Sequence, residues 1–378
     1  MIFAADGAFW TAGPDVAGVP AVAVLEAAGA VFAWTVDDPD GVAATRMTLT
    51  DVAAADWLWQ VIGVPGHREV ASALTASAPT GSVDVPAAAW RTDALAPLRR
   101  LAVGHWARRW WPASPRDGIV GLDPALLDAE LALLTARAEQ VCAEDAVDAE
   151  IAALLGPHRA ALEAIRRGGD PRVVELVDSC RDLADEYGVW DGDGFADGSD
   201  PAERTDLAAA RRTDYALAAG GRTSGGPTPV AAGSASVDWA GVPPGTFDAA
   251  DGTVDWRVEA RKAETTATVR VAVAGPVPPD GVAVRLVSGL VTGAGVLDAD
   301  GTARLILRDA AGPVTDSTAW GHDWSATDVV VGTGAAGGPA AGAAVALRER
   351  VRRLARSRLA APGADAFLAE IVAAESDY

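Results

Sequence analysis

Residues 220–236 read GGRTSGGPTPVAAGSAS, a Gly/Ser/Thr/Pro/Ala run with almost no apolar bulk. Such a stretch buries too little surface to offset the entropy of ordering it, and its composition predicts a flexible linker. The patterns on its two sides differ in kind. Helical spacing dominates before it, and two-residue alternation follows it. The expectation is an α+β multidomain chain. A small α+β unit over 1–90 leads into a helical bundle over 91–219 and the linker over 220–236. An antiparallel β-sandwich over 237–333 and C-terminal helices over 341–376 complete it.

The chain has 378 residues, enough for two or three domains, each with its own core. A formal net charge of −21 opposes wholesale binding to nucleic acid or to an anionic membrane, both of which attract positive charge. Lys262 is the sole lysine. With Ala and Val as the main apolar residues, that usage reads as a high-GC genome rather than selection for phosphate contacts. The start Met1-Ile2-Phe3-Ala4-Ala5-Asp6 lacks the basic region of a secretory signal. The most apolar stretch, 19–36, is interrupted by Pro20, Glu26 and Gly29, so no membrane span is expected. Cys142 and Cys180 are too few for a disulfide framework and read as reduced, buried thiols. The expectation is a cytoplasmic protein without a cofactor.

Strands are expected over 22–26, 31–36 and 42–50, with Ala28-Gly29 as the turn between the first two and a weak strand over 82–86. Asp51 is expected to cap a helix reaching Ile62, and Thr92 one that carries Leu95, Leu98 and Leu101. Asp123 precedes Pro124 at the head of a spine formed by Leu127, Leu131 and Leu134. Asp170-Pro171 opens another, with Val173, Leu176, Val177 and Cys180, and a further helix is expected over 201–219. After the linker the period becomes two. Val254, Trp256 and Val258 alternate with Asp255, Arg257 and Glu259, and Ala267, Val269 and Val271 repeat the pattern. Asp298-Ala299-Asp300-Gly301 reads as a hairpin turn into Ala303, Leu305 and Leu307, and 329–331 as a last strand. This alternation is similar to that of immunoglobulin-, transthyretin- or fibronectin-like modules, a likeness that implies no function.

Five clusters are candidate sites. His105, Trp106, Arg108, Arg109, Trp110 and Trp111 join aromatic and basic groups. Packing of a helix end into a core is the leading reading, ahead of a protein interface and then of nucleic acid, which the global charge disfavours. Trp320, His322 and Trp324, with Asp323, mark a loop that either caps the sandwich or forms a small polar pocket. Arg348, Arg352 and Arg353 belong to a basic rim beside the seam Leu347, Val351 and Leu354. That helix docks on the acidic helices carrying Asp178, Asp182, Asp185 and Glu186, or recruits a partner. Asp191, Asp193 and Asp197 resemble a calcium loop, but Ala202 stands where a twelfth-position carboxylate belongs. A solvated acidic loop is preferred, and no metal is expected. Gly332, Gly334 and Gly337 have the spacing of a dinucleotide loop, yet two helices follow instead of a second parallel strand.

No nucleophile, metal or phosphate motif stands out. The chain therefore reads as a non-enzymatic cytosolic adaptor or scaffold that binds other proteins. The alternative is a hydrolase or small-molecule-binding enzyme with a site between modules, using His322 and Asp323 or the acidic loop.

Overall fold

The computed structural model describes residues 1–75, 80–142, 147–190, 229–261, 264–334 and 341–376. The Asp191, Asp193 and Asp197 cluster, Gly337, the helix expected over 201–219 and most of the 220–236 run lie outside these residues. Contacts divide the chain into two units. One comprises Met1–Trp111, Leu122–Asp193 and Gly342–Tyr378, the other Pro112–Gly121 and Gly194–Ala341. Secondary structure is mixed α and β, and the sheets are antiparallel.

The first unit opens with β1 (Ile2–Asp6) and β2 (Phe9–Ala12), neither expected from these short, Ala-diluted segments. They join β3 (Val22–Ala27), β4 (Ala30–Thr35), β5 (Arg46–Leu49) and β6 (Ser82–Asp84) in a sheet of order β3-β4-β5-β2-β1-β6. Alternation in β4 buries Ala30, Phe32 and Trp34 on one face. Register sets Phe32 opposite Met47, and Trp10 opposite Leu49. The wholly buried Trp34 satisfies its indole N–H on Thr45 Oγ1 at 2.8 Å. The strand expected over 42–50 begins only at Arg46, because Gly41–Ala44 makes a 3₁₀ turn.

Asp51 closes a turn rather than a helix, its Oδ1 accepting the N–H groups of Ala53 and Ala54. The helix α1 (Trp59–Thr75) starts after it and breaks at Gly63, whose φ is 79°. In α2 (Thr92–Trp110) the cap position is Arg91, not Thr92, and no side chain bonds there. In α3 (Pro124–Cys142), Asp123 Oδ1 accepts from Ala125 and Leu126, as the Asp-Pro pair implies. The helices α4 (Val147–Leu155), α5 (Arg159–Arg166) and α6 (Pro171–Glu186) follow, with Asp170 accepting the Arg172 N–H at 2.9 Å.

The second unit holds β7 (Ala231–Ala235), β8 (Val254–Arg261), β9 (Glu264–Val271), β10 (Ala283–Ser288) and β11 (Val291–Val296). It continues through β12 (Thr302–Ile306), β13 (Arg308–Asp309), β14 (Gly312–Pro313), α7 (Asp316–Gly321) and β15 (Thr327–Val331). The sheets have orders β12-β9-β8-β7 and β14-β13-β11-β10-β15. One buried cluster draws on both, including Trp256, Val258, Val269 and Leu305 from the first and Leu286, Val291 and Val329 from the second. The strand β7 corrects the expectation of a linker at 231–235. Main-chain pairing with β8 needs no side-chain bulk, and a Cβ on Gly233 would stand 2.6 Å from Trp256 Cζ2. The Asp298 turn is present, its carboxylate accepting from Asp300 and Thr302, but it carries the chain from one sheet to the other instead of closing a hairpin.

Pro112–Gly121 belongs to this unit through Asp248, a fully buried carboxylate. Asp248 accepts from Ser114 Oγ at 2.6 Å, from the Arg116 N–H at 3.1 Å and from the Ala250 N–H at 2.8 Å. Three donors replace the water this carboxylate loses.

The chain returns to the first unit with α8 (Ala341–Ala360) and α9 (Leu368–Ser376). Glu370, 1 % exposed, accepts from Arg358 Nε and Nη2 at 2.6 and 2.7 Å and from the Phe367 N–H at 2.8 Å. Glu130 of α3 takes the Leu368 N–H and Arg100 of α2. Phe367 inserts where α2 carries Gly104; a Cβ there would overlap Leu131 and approach Phe367 Cζ to 2.9 Å. No helix among the described residues is long and apolar enough to cross a membrane.

Removing Arg358 leaves the Glu370 carboxylate buried without its counter-ion. Arg358→Ala is expected to lower the unfolding free energy by about 3–5 kcal/mol. Urea denaturation checks this; a loss below about 1 kcal/mol, the worth of an exposed pair, would contradict it.

Candidate functional site

At one end of the second unit, the β10–β11 turn meets the segment that follows α7. Ser288 ends β10 and is fully buried. Its Oγ lies 2.9 Å from His322 Nε2 and 3.0 Å from Thr327 Oγ1, the residue paired with it in the β15 register. Trp324 fixes the loop from beneath. Its indole N–H donates to Ala319 O at 2.9 Å, and the His322 ring meets it edge-on at 4.5 Å between centroids. The turn needs Gly289, whose φ is 57° and whose Cβ position lies 3.7 Å from His322 Cε1.

This anchored base presents two large apolar side chains to solvent. Leu290, next to Gly289, is 83 % exposed, and Trp320, two residues before His322, is 59 % exposed. Sequence reasoning singled out Trp320, His322 and Trp324, and the structure separates their roles: Trp324 is core, His322 bonds Ser288, and Trp320 is surface. It missed Leu290 and Ser288, because Gly293 and Gly295 masked the alternation of β11 and with it the hairpin. The only available signal was the Ser-Gly-Leu step after an alternating run.

The Ser288–His322 contact has the elements of a nucleophile and a base, but the hydroxyl is inaccessible and the neighbouring acid looks elsewhere. Asp323 accepts from the Ser325 backbone N–H, and that bond holds its carboxyl below the ordinary value.

The other expected sites fall in the first unit. Trp106 and Trp111 are buried, and the Trp106 indole donates to Pro20 O at 2.7 Å. Arg108 pairs with the buried Asp128 at 2.9 Å, and Arg109 covers the Trp110 ring at 4.4 Å. His105 Nε2 is 3.3 Å from Glu150. On α8, Arg352 is buried against Glu349, Arg348 is half-buried and Arg353 exposed. Acidic partners of this helix among the described residues include Asp37, for Arg350, and Glu349, Asp365 and Glu370. Gly332 has φ 83°, and a Cβ there would stand 2.0 Å from Gly241 O, so the glycine serves a close backbone approach within the unit. Among the described residues, no group of three His, Cys, Asp or Glu side chains is arranged to hold a metal ion.

No family model matches the chain, and neither curated proteins nor solved structures include a significant match.

Burial holds the His105 imidazole below its ordinary 6.5, outweighing the opposing pull of Glu150. Because the folded state resists protonation, His105 supports stability above pH 6.5 and that support is lost as pH falls through the lowered value. Histidine-selective NMR is expected to place its midpoint below 6.5. A midpoint at or above that value would contradict the burial argument.

Proposed function

We propose that the chain is a non-enzymatic cytosolic adaptor or scaffold, with the Leu290–Trp320 end of its second unit as a protein-binding surface. The observation that carries this reading is a pair of exposed apolar side chains, Leu290 and Trp320, on two segments joined by the Ser288–His322 contact. Ser288, His322 and Trp324 hold both segments in place, so little conformational entropy is lost when Trp320 and Leu290 are covered. Exposed tryptophan beside aliphatic surface is the composition of interface hot spots. We read the two sheets of this unit as a β-sandwich, supported by the cluster they share, with the surface at one end. The partner is another protein; the net charge of −21 argues against nucleic acid and anionic membrane.

A hydrolytic reading rests on the 2.9 Å Ser288–His322 contact alone. It requires the buried hydroxyl to become accessible, and covalent labelling of Ser288 by a fluorophosphonate would favour it.

The test of the adaptor reading is cross-linked capture from native cells with the full chain and with Leu290→Asp/Trp320→Asp. Both positions are exposed, so the melting temperature is expected to stay within about 2 °C. Stoichiometric companions are expected with the wild type and lost with the double variant. Companions unaffected by the substitutions, or none with the wild type, would overturn this assignment.

A further inference from the structure

The two segments that carry Leu290 and Trp320 hold fixed charge of one sign. Residues 286–303 and 309–347 contain no Lys or Arg, although the chain has 31 basic residues, and they contain Asp298, Asp300, Asp309, Asp316, Asp323 and Asp328. Three of these acids lie close in the fold to the exposed apolar pair. Asp316 and Trp320 are four residues apart in α7, so they share one helix face, and both are exposed. Asp323, also exposed, follows His322 and accepts the Ser325 N–H at 2.9 Å. That bond holds its carboxyl below the ordinary value, so it is ionised at neutral pH while retaining acceptor capacity. Asp328 stands opposite Val287 in the β10–β15 register, one position from Ser288. The register brings one guanidinium to the same end, that of Arg308, opposite Thr292.

This arrangement selects the chemistry of what can cover it. The face of an exposed indole attracts a cation, and a carboxylate one helical turn away accepts the N–H groups of the same cation. A guanidinium fits better than an ammonium, because it is planar, stacks on an aromatic ring and offers a fork of donors at its edge. Leu290 adds aliphatic surface that an apolar side chain covers. An acidic segment would meet Asp316, Asp323 and Asp328. A second copy of this chain, set end to end about a two-fold axis, would place the same carboxylates against their own counterparts.

We propose that the Leu290–Trp320 end receives an arginine-bearing apolar segment of another protein, whose guanidinium stacks on the Trp320 ring and pairs with Asp316 while an aliphatic side chain covers Leu290. The inference rests on the protein-binding reading of this end and adds the chemistry of the partner. Asp323 contributes longer-range attraction, which salt screens.

Three blocked peptides, in which leucine alternates with arginine, with glutamine or with glutamate, are suitable probes. Each is titrated into the full chain at low ionic strength while NMR follows the Trp320 indole N–H and the Leu290 amide. The arginine peptide is expected to move both signals and to bind about tenfold more tightly than the glutamine peptide, with the glutamate peptide weakest. Asp316→Asn/Asp323→Asn replaces two exposed side chains and keeps an oxygen to accept from Ser325. It is expected to narrow the advantage of the arginine peptide to about twofold. Equal affinity for the arginine and glutamine peptides, tightest binding of the glutamate peptide, neither signal moved by the arginine peptide, or an advantage untouched by the double substitution would overturn the proposal. Equal affinities with both signals moved would remove the charge preference alone. The protein-binding reading fails separately, when native companions persist with Leu290→Asp/Trp320→Asp.

Discussion

The buried Arg358–Glu370 ion pair fastens α8 to α9, and Phe367 and Leu368 then tie that helix pair to α2 and α3 of the first unit. A carboxylate that is 1 % exposed is tolerable only when its lone pairs are filled, and here a bidentate guanidinium and the Phe367 amide fill them. The same geometry orients Phe367, which packs beside Gly104 under the Arg100 guanidinium, 5.2 Å from its ring centre. Arg100 and the Leu368 amide then satisfy Glu130 on α3. Burial pushes the Glu130 carboxyl up, with the Leu368 amide and Arg100 opposing that rise. Two carboxylates thus connect α2, α3, α8 and α9 into one polar network inside an apolar core.

A parallel device explains the other discontinuity. The segment that follows α2 belongs to the second unit because Asp248 gathers Ser114, Arg116 and Ala250 around a buried carboxylate. In both places a buried acid works alongside buried apolar side chains, Phe367 and Val351 in one and Ile119 in the other, to fix a peripheral segment to its unit. Such contacts are directional, so they specify register as well as adding stability.

What was readable in the sequence follows from this distinction. Periodic apolar spines identify α3 and α6 because one face of each is buried, and Asp123 and Asp170 announce their starts through local hydrogen bonds. Alternation identifies β8 and β9 for the same reason. Local pattern fails where small residues serve packing: Gly293 and Gly295 hide β11, and Ala231–Ala235 carries a linker composition while pairing as a strand. It also fails where partners are remote. Nothing near Glu370 points to Arg358 as its counter-ion, and Asp248 takes donors from Ser114 and Arg116, more than 130 positions earlier. The exposed end of the second unit was half legible, through Trp320 and His322, while Leu290 required the hairpin to be known.

The central claim is that residues after 340 complete the core of the first unit. Hydrogen exchange of the full chain, compared with a chain ending at residue 340, tests it most directly. With α8 and α9 absent, Glu130 loses the Leu368 amide and Gly104 faces an empty Phe367 site, so amides of α2 and α3 are expected to lose protection while β8 and β9 keep theirs. Unchanged protection in α2 and α3 would contradict the account, because those helices would then hold together without the clamp.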